Sequence, residues 1–196
     1  MGTAVLALQG AFIEHEQKLE ELGEPFFEIR EKADLKRPFD RLILPGGEST
    51  VQGRLLRKEG LLEPLRERIL DGMPTLATCA GLILLAKRIE DDVEDGSDRS
   101  AARPQSHFGT LDATVQRNAY GRQLGSFRTE AEFKGLGKIG MTFIRAPYIK
   151  KAGPEVEVLA KVDGRIVAVR QGAQLGLAFH PELEESLAVH EMFLAL

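Results

Sequence analysis

The feature that most constrains the fold is an alternation of two kinds of segment along the first half of the chain. Short apolar runs that end in glycine or proline alternate with longer amphipathic stretches. Strands that each lead into a surface helix give this pattern, because parallel strands need long crossover connections and are covered by helices. The sequence therefore predicts an α/β fold of three layers, in which helices flank a mostly parallel central sheet.

The two halves of the chain contribute different sets of predicted elements. The first-half strands are 4–8, 26–29, 41–44 and 75–78, and the helices are 11–22, a segment after Ser49, 61–70 and 80–89. The second-half strands are 111–116, 123–127, 141–144, 156–162, 165–170 and 175–179, before a final helix from about Glu184. Asp163-Gly164 predicts a tight hairpin turn, because glycine accepts the positive φ that such turns require.

Length and charge limit the classes of function. A chain of 196 residues fits one domain, which we expect to span 1–196. Lys and Arg total 26 and Asp and Glu total 30, so the net charge of −4 offers no broad positive field for nucleic acid. The lone cysteine cannot form an internal disulfide, and we find neither a signal peptide nor a membrane-spanning stretch. We expect a cytoplasmic protein that binds neither nucleic acid nor membrane.

An acidic segment from about Glu90 to His107 departs from the alternating pattern. It concentrates aspartate and glutamate, followed by arginines and small polar residues. Such a composition buries little, so it predicts a mobile surface loop. The regular ligand spacing of a calcium loop is absent, and we predict no metal site there.

Cys79 lies between a predicted strand and a predicted helix. The small residues Ala77 and Gly81 on either side of it suit a sharp strand-to-helix turn that lifts a nucleophile above the sheet edge. The N-terminus of the following helix would favour the thiolate. An inert buried cysteine is nevertheless the commoner case when this signal stands alone.

His180-Pro181-Glu182 follows a late predicted strand and supplies groups that a nucleophilic cysteine needs. His180 could take the thiol proton and return it to the leaving group, and Glu182 could hold the other ring nitrogen. A surface histidine beside an acidic residue that caps a helix is the competing interpretation.

Paired glycines, Gly46-Gly47, follow the strand 41–44 and precede Glu48 and Ser49. Glycines let backbone N–H groups approach an anion closely, as an oxyanion hole requires. Ser49 is also a plausible N-cap of the next helix. The pattern of a phosphate-binding loop is absent, so nucleotide binding is a poor alternative.

These motifs together resemble class I glutamine amidotransferases, which have a flavodoxin-like sheet. More narrowly, the chain is similar to the glutaminase subunits of pyridoxal 5′-phosphate synthases over nearly its whole length. The segments that carry the resemblance are Leu8-Gln9-Gly10, residues 46–50, 78–82, 117–123 (RNAYGRQ), 143–147 (FIRAP) and 179–182.

The resemblance implies roles for the matching positions. It implies a catalytic triad of Cys79, His180 and Glu182, and we take the N–H groups of Gly47 and Ala80 as candidates for the oxyanion hole. The residues that it implies for binding L-glutamine are Gly47, Glu48, Ser49, Arg117, Ile144 and Arg145. It gives His15, His107 and His190 no catalytic role, and we interpret all three as surface residues.

The resemblance also implies a reaction and a partner. Cys79 would attack the side-chain amide of L-glutamine, ammonia would leave, and water would hydrolyse the thioester to glutamate. The ammonia would pass to a separate synthase subunit in a hetero-oligomeric complex that makes pyridoxal 5′-phosphate. This chain would itself need no cofactor and no metal. A self-sufficient cysteine hydrolase and a non-enzymatic binding module remain as alternative hypotheses.

Overall fold

A computed structural model describes residues 2–90, 106–117 and 125–196 of the chain. The strands are β1 Thr3–Leu6, β2 Phe26–Ile29, β3 Arg41–Leu44, β4 Thr75–Thr78, β5 Ala86–Glu90, β6 Leu111–Gln116, β7 Ser126–Phe133, β8 Gly137–Ile144, β9 Tyr148–Ala152, β10 Glu157–Val162, β11 Arg165–Gln171 and β12 Gln174–Leu177. The helices are α1 Phe12–Glu21, α2 Ser49–Lys58, α3 Leu62–Leu70, α4 Ala80–Leu85 and α5 Ala188–Leu194, with short 3-10 helices at Lys32–Lys36 and Pro181–Leu183.

Five parallel strands form the centre of the fold in the order β2-β1-β3-β4-β12. This is the 2-1-3-4-5 order of a flavodoxin-like sheet, whose ligands bind at the carboxyl ends of the strands. Every residue of β4 is buried, as expected for a central strand between two parallel neighbours. The predicted α/β class and mostly parallel central sheet are confirmed.

Antiparallel strands extend this sheet beyond β12. They continue in the order β11-β10-β7-β8, while β9 pairs with β11 and β6, and β5 pairs in parallel with β6. The predicted hairpin joins β10 to β11, with Val162 paired to Arg165 across the turn. Asp163 and Gly164 both have positive φ, 48° and 76°, which matches the right-handed twist of the paired strands.

Three predictions about elements need correction. The predicted helix 80–89 ends at Leu85, because Ala86–Glu90 pairs as a parallel strand with β6. The strand Tyr148–Ala152 was not predicted. The final helix begins at Ala188 rather than Glu184. Most of the predicted acidic loop, 91–105, lies outside the described residues, as do positions 123 and 124 of the predicted strand 123–127.

No helix in the described ranges is long and apolar enough to cross a membrane.

Candidate active site

Cys79 stands at a strained turn between β4 and α4. Its φ of 49° and ψ of −101° lie outside the regions that non-glycine residues ordinarily adopt. Its backbone N–H donates to the carbonyl of Leu177 at 2.8 Å, which ties the turn to β12. A Cβ at Gly81 would lie 2.1 Å from the carbonyl oxygen of Leu44, so only glycine lets α4 pack this close to β3. The predicted elbow is present.

His180 and Glu182 form a buried pair just beyond the end of β12. His180 Nδ1 lies 2.7 Å from Glu182 Oε1, and the His180 backbone N–H donates to the carbonyl of Thr142 at 2.8 Å. His180 immediately precedes the 3-10 turn that begins at Pro181, and Glu182 lies within that turn. The competing interpretation, a surface histidine beside a capping acid, is wrong, because both side chains are buried.

The side chains of Cys79 and His180 are neighbours beside Gly46. A Cβ at Gly46 would lie 2.4 Å from His180 Cε1 and 3.4 Å from Cys79 Cβ. Gly46 therefore leaves just enough room for the two side chains to be neighbours. Nε2 of His180 is buried and has no hydrogen-bond partner among the described residues. It is the ring nitrogen that remains for exchange of a proton with the thiol or the substrate.

The surroundings of His180 favour its charged form. Burial opposes protonation, but the interactions with Cys79 and with the Glu182 carboxylate outweigh it and raise the pKa of His180 to about 10. Glu182 is also buried, which disfavours its charge, yet His15 and His180 together hold the pKa of its carboxyl below the usual value. An ionised carboxylate beside an imidazole orients the ring and stabilises the imidazolium.

The glycine loop after β3 is fixed by the segment that follows β1. Gln9 Oε1 accepts from the Glu48 backbone N–H at 2.8 Å, and Gln52 Nε2 donates to the Gln9 carbonyl at 2.8 Å. A Cβ at Gly10 would lie 1.8 Å from the Gly46 carbonyl oxygen. Gly47 is exposed on this loop. Ala80 is the first residue of α4, where a backbone N–H has no partner within the helix.

Glu48, rather than the predicted Ser49, caps α2. Its carboxylate accepts from the N–H groups of Thr50 at 3.0 Å and Val51 at 2.8 Å. Ser49 is the buried first residue of the helix. Partial burial alone would raise the pKa of Glu48, but these two N–H groups and the charge of Arg117 lower it. The predicted cap is therefore displaced by one residue, because the longer glutamate side chain reaches both donors.

The sequence and structure of this chain are similar to those of known proteins. A sequence model of the SNO glutamine amidotransferase family matches residues 5–196. The chain belongs to this family. It is 56% identical over 194 residues to "Pyridoxal 5′-phosphate synthase subunit PdxT" of Desulfitobacterium hafniense, covering 99% of this chain and 92% of that protein. It is 56% identical to the protein of the same name in Methanocorpusculum labreanum, covering 100% and 97%.

A solved structure described as a glutamine amidotransferase also resembles this fold. Its TM-score is 0.89 at 42% sequence identity, and the match covers 100% of this chain and 98% of that one. The family and the fold that the sequence motifs implied are thus confirmed.

The three remaining residues that were predicted to bind glutamine lie at the start of α2, or at or just after the end of β8. Arg117 Nη1 donates to Thr50 Oγ1 at 3.2 Å, which places its guanidinium at the start of α2 beside Glu48. The carbonyl oxygen of Ile144 lies 3.9 Å from Cys79 Sγ. Arg145 follows with a positive φ of 44°, held by a hydrogen bond from its N–H to the carbonyl of Gly125. Residues 118–123 of the RNAYGRQ segment lie outside the described residues.

Two of the three predicted surface histidines are buried, so that prediction is wrong. His15 on α1 and His190 on α5 are fully buried, with their ring nitrogens 3.0 Å apart. His107 is half-buried and lies 3.2 Å from Arg57 Nη1, and burial and that arginine lower its pKa to about 4. The burial of His15 could have been predicted from helical spacing, because His15 comes three residues after Phe12 and four before Leu19 on the apolar face of the helix.

Proposed function

We propose that this chain hydrolyses L-glutamine to L-glutamate and ammonia, and that the ammonia is used by a separate synthase subunit to make pyridoxal 5′-phosphate. One observation carries the proposal. In a member of the glutamine amidotransferase family, a cysteine at a strained strand-to-helix turn adjoins a buried histidine whose other nitrogen is held by a carboxylate. The partner and the pathway follow from the full-length relatives named as subunits of pyridoxal 5′-phosphate synthase.

In the first half of the reaction, Cys79 is the nucleophile. Its sulfur attacks the side-chain amide carbon of glutamine, and His180 holds the proton that the thiol gives up. When the tetrahedral intermediate collapses, His180 delivers that proton to the leaving nitrogen, so ammonia departs and a γ-glutamyl thioester remains. The imidazolium is favoured in this site, since the pKa of His180 is raised to about 10.

In the second half, water replaces ammonia. His180 takes a proton from water as it attacks the thioester carbon, and returns it to the sulfur as glutamate is released. Glu182 stays ionised throughout and keeps the proton of His180 on Nδ1, so that Nε2 is the nitrogen that exchanges protons. The thiol, the imidazole and the carboxylate end the cycle in their starting states.

The negative charge on the intermediate needs donors on its oxygen. We assign this role to the backbone N–H groups of Gly47, on the loop after β3, and Ala80, at the turn that carries Cys79. Fixed backbone donors of this kind stabilise a developing oxyanion, and removal of one such donor typically costs about 100-fold or more in rate. The interlock of Gln9 with Glu48 and Gln52 supports this role, because it holds the glycine loop in one conformation.

The amino-acid end of glutamine carries a carboxylate and an ammonium. Arg117 supplies a cation for the carboxylate, and Glu48 supplies an anion near it for the ammonium. Ser49, Ile144 and Arg145 complete the substrate-binding set together with Gly47. The carbonyl of Ile144, close to the sulfur, is an acceptor for the amide N–H groups of the substrate.

The test is an ammonia-release assay with glutamine, run with and without the synthase subunit on which activity should depend. We expect Cys79→Ala and His180→Asn to lose the partner-stimulated turnover while the folded protein still binds the synthase. Full turnover in either variant would refute the triad. A hetero-oligomer with the synthase should form in the cytoplasm, which size-exclusion chromatography of a cytosolic extract checks.

A chemical probe separates this function from the two alternative hypotheses. An electrophilic glutamine analogue should add covalently to Cys79, and glutamine should block the adduct, as mass spectrometry of the intact protein and its peptides can show. Labelling that peptides or esters block but glutamine does not would indicate a self-sufficient hydrolase. No adduct in the presence of the synthase would indicate a binding module with an inert cysteine.

A further inference from the structure

A pair of imidazoles, His15 and His190, lies directly behind the triad carboxylate. His15 Nε2 is 3.4 Å from Glu182 Oε2 and 3.1 Å from Thr78 Oγ1. On the other side of the ring, His15 Nδ1 is 3.0 Å from His190 Nε2. His15 thus joins α1 and α5 to Thr78, the last residue of β4, and it does so at the one carboxylate on which His180 depends.

The carboxylate needs this neighbour. Oε1 of Glu182 is committed to His180 Nδ1, whereas Oε2 is buried and makes no hydrogen bond of ordinary geometry in the described part of the chain. A buried charged oxygen without a donor is strongly unfavourable. His15 Nε2 faces that oxygen at 3.4 Å, so a proton on this nitrogen satisfies the carboxylate and a lone pair there would repel it.

The remaining contacts are compatible with the same protonation pattern. Burial lowers the pKa of His15, and burial together with His15 and Lys18 lowers that of His190 to about 3, so the neutral form of each ring is favoured. With the proton of His15 on Nε2, its Nδ1 can accept from His190 Nε2–H. That leaves a lone pair on His190 Nδ1, the buried nitrogen that has no partner.

We propose that His15 is a positioning residue for the triad: as a neutral, Nε2-protonated imidazole it holds the second oxygen of Glu182, so that the first oxygen orients His180. The proposal rests on the proposed function of Cys79, His180 and Glu182. His190 fixes the tautomer of His15 from behind, and Thr78 shares the Nε2 proton. His15 itself is fully buried and reaches the reacting atoms only through Glu182.

This role predicts a defined kinetic signature. Loss of the donor leaves Glu182 Oε2 unsatisfied, which raises the pKa of that carboxyl and weakens its hold on His180. The turnover number should fall, and the KM for glutamine should stay constant because His15 does not reach the substrate. The groups that face His15 electrostatically are Glu182, His180, Glu14 and His190, with Lys18 beside His190.

Two nearly isosteric substitutions test the donor. The side-chain nitrogen of glutamine can occupy the place of Nε2 of histidine, whereas that of asparagine can occupy only the place of Nδ1. In the complete complex with the synthase, we expect His15→Asn to lower kcat by about tenfold, the equivalent of one hydrogen bond to a charged group. The acidic limb of its kcat–pH profile should move to higher pH. His15→Gln should restore most of kcat and the original profile.

Three kinetic outcomes would overturn the proposal. They are wild-type kcat in a folded His15→Asn variant, an increase in KM in place of the loss of kcat, and a folded His15→Gln variant as impaired as His15→Asn. Thermal unfolding of both variants shows whether they are folded. A folded His15→Gln variant as impaired as His15→Asn would indicate that His15 contributes only to packing.

A measurement on the wild-type chain tests the proposal without any substitution. Nitrogen chemical shifts of ¹⁵N-labelled histidine distinguish protonated from unprotonated ring nitrogens, and His15→Gln identifies the signals of His15. We expect the proton of His15 on Nε2 between pH 6 and 8, and a proton on Nδ1 alone would overturn the proposal. This readout is independent of the reaction, whereas failure of the proposed function would appear separately as ammonia release by Cys79→Ala.

Discussion

Gly46→Ala is the sharpest test of how the proposed triad is assembled, because it adds one methyl group between Cys79 and His180. The new Cβ would lie 2.4 Å from His180 Cε1 and 3.1 Å from Nδ1, whereas ordinary van der Waals contact begins at 3.4 Å. The imidazole must therefore retreat by 3.4 − 2.4 = 1.0 Å. The 2.7 Å bond to Glu182 Oε1 would then be strained or broken.

A displacement of this size has a large kinetic effect. Misplacement of a reacting group by about 1 Å costs on the order of 100-fold in rate, or about 2.7 kcal/mol of transition-state stabilisation. We expect kcat for ammonia release, measured with saturating synthase, to fall by about that factor in Gly46→Ala. The backbone conformation of Gly46 is not in the left-handed region, so alanine adds a steric effect without a conformational one.

Gly23→Ala is the matched control for a general loss of stability. Gly23 follows α1 with a φ of +66°, and a Cβ there would meet nothing within 4 Å. Alanine at a positive φ should cost about 1 kcal/mol of stability, and kcat should stay within about twofold of wild type because the site is untouched. A folded Gly46→Ala variant with wild-type kcat would refute the inference that His180 and Cys79 meet beside this glycine.

Three further measurements test other parts of the structure. Arg117→Ala should raise the KM for glutamine about tenfold or more with a smaller change in kcat, since it removes the cation offered to the substrate carboxylate; an unchanged KM would exclude Arg117 from the binding site. Gly81→Ala should lower the free energy of unfolding in urea by about 2 kcal/mol, because its Cβ would lie 2.1 Å from the Leu44 carbonyl oxygen; unaltered stability would contradict that close approach. Burial lowers the pKa of His190 from 6.5 to about 3. Between pH 6.5 and about pH 3 the unfolded chain therefore binds more protons than the folded chain, and the free energy of unfolding falls as the pH drops through this range. The loss from this group should be roughly 2 kcal/mol around pH 5, and the pH dependence of urea unfolding should be flatter in His190→Gln; an equally steep dependence would show that His190 is not buried neutral.

Much of the fold was predictable from the sequence because its strongest signals are local. The runs at β3 and β4 end in Pro45-Gly46-Gly47 and at Cys79, and such endings mark the carboxyl edge of a parallel sheet. The end of α4 was not predictable in this way. Ala86 and Ile89 are buried three residues apart, a spacing that suits a helix, and the strand is selected by pairing with Leu111 and Val115. That pairing is a tertiary contact which local periodicity does not encode.

In the candidate site, too, the sequence predicted the residues that lie in local motifs and missed the contacts between distant segments. Motifs indicated the residues of the proposed triad, since Cys79 and the segment His180-Pro181-Glu182 each follow a predicted strand. The supporting contacts were missed, because they join distant segments. Gln9 reaches Glu48 and Gln52 across the sheet edge, and His15 reaches His190 from the opposite end of the chain. A polar side chain whose partner lies on another element cannot be assigned that partner from spacing within its own element.

Different parts of the fold hold Cys79 and the His180–Glu182 pair of the proposed triad. Cys79 belongs to the parallel core, but His180 is fixed by β8, an antiparallel strand, through the Thr142 carbonyl. The Thr142 hydroxyl also donates to Glu184 Oε1 at 2.6 Å, and Arg128 on β7 binds Glu184 Oε2 at 2.9 Å. The turn that carries Glu182 is therefore pinned at both ends to the antiparallel extension. Since Ile144 at the end of β8 also faces the sulfur, a shift of this strand would move the base and one wall of the site together relative to the nucleophile.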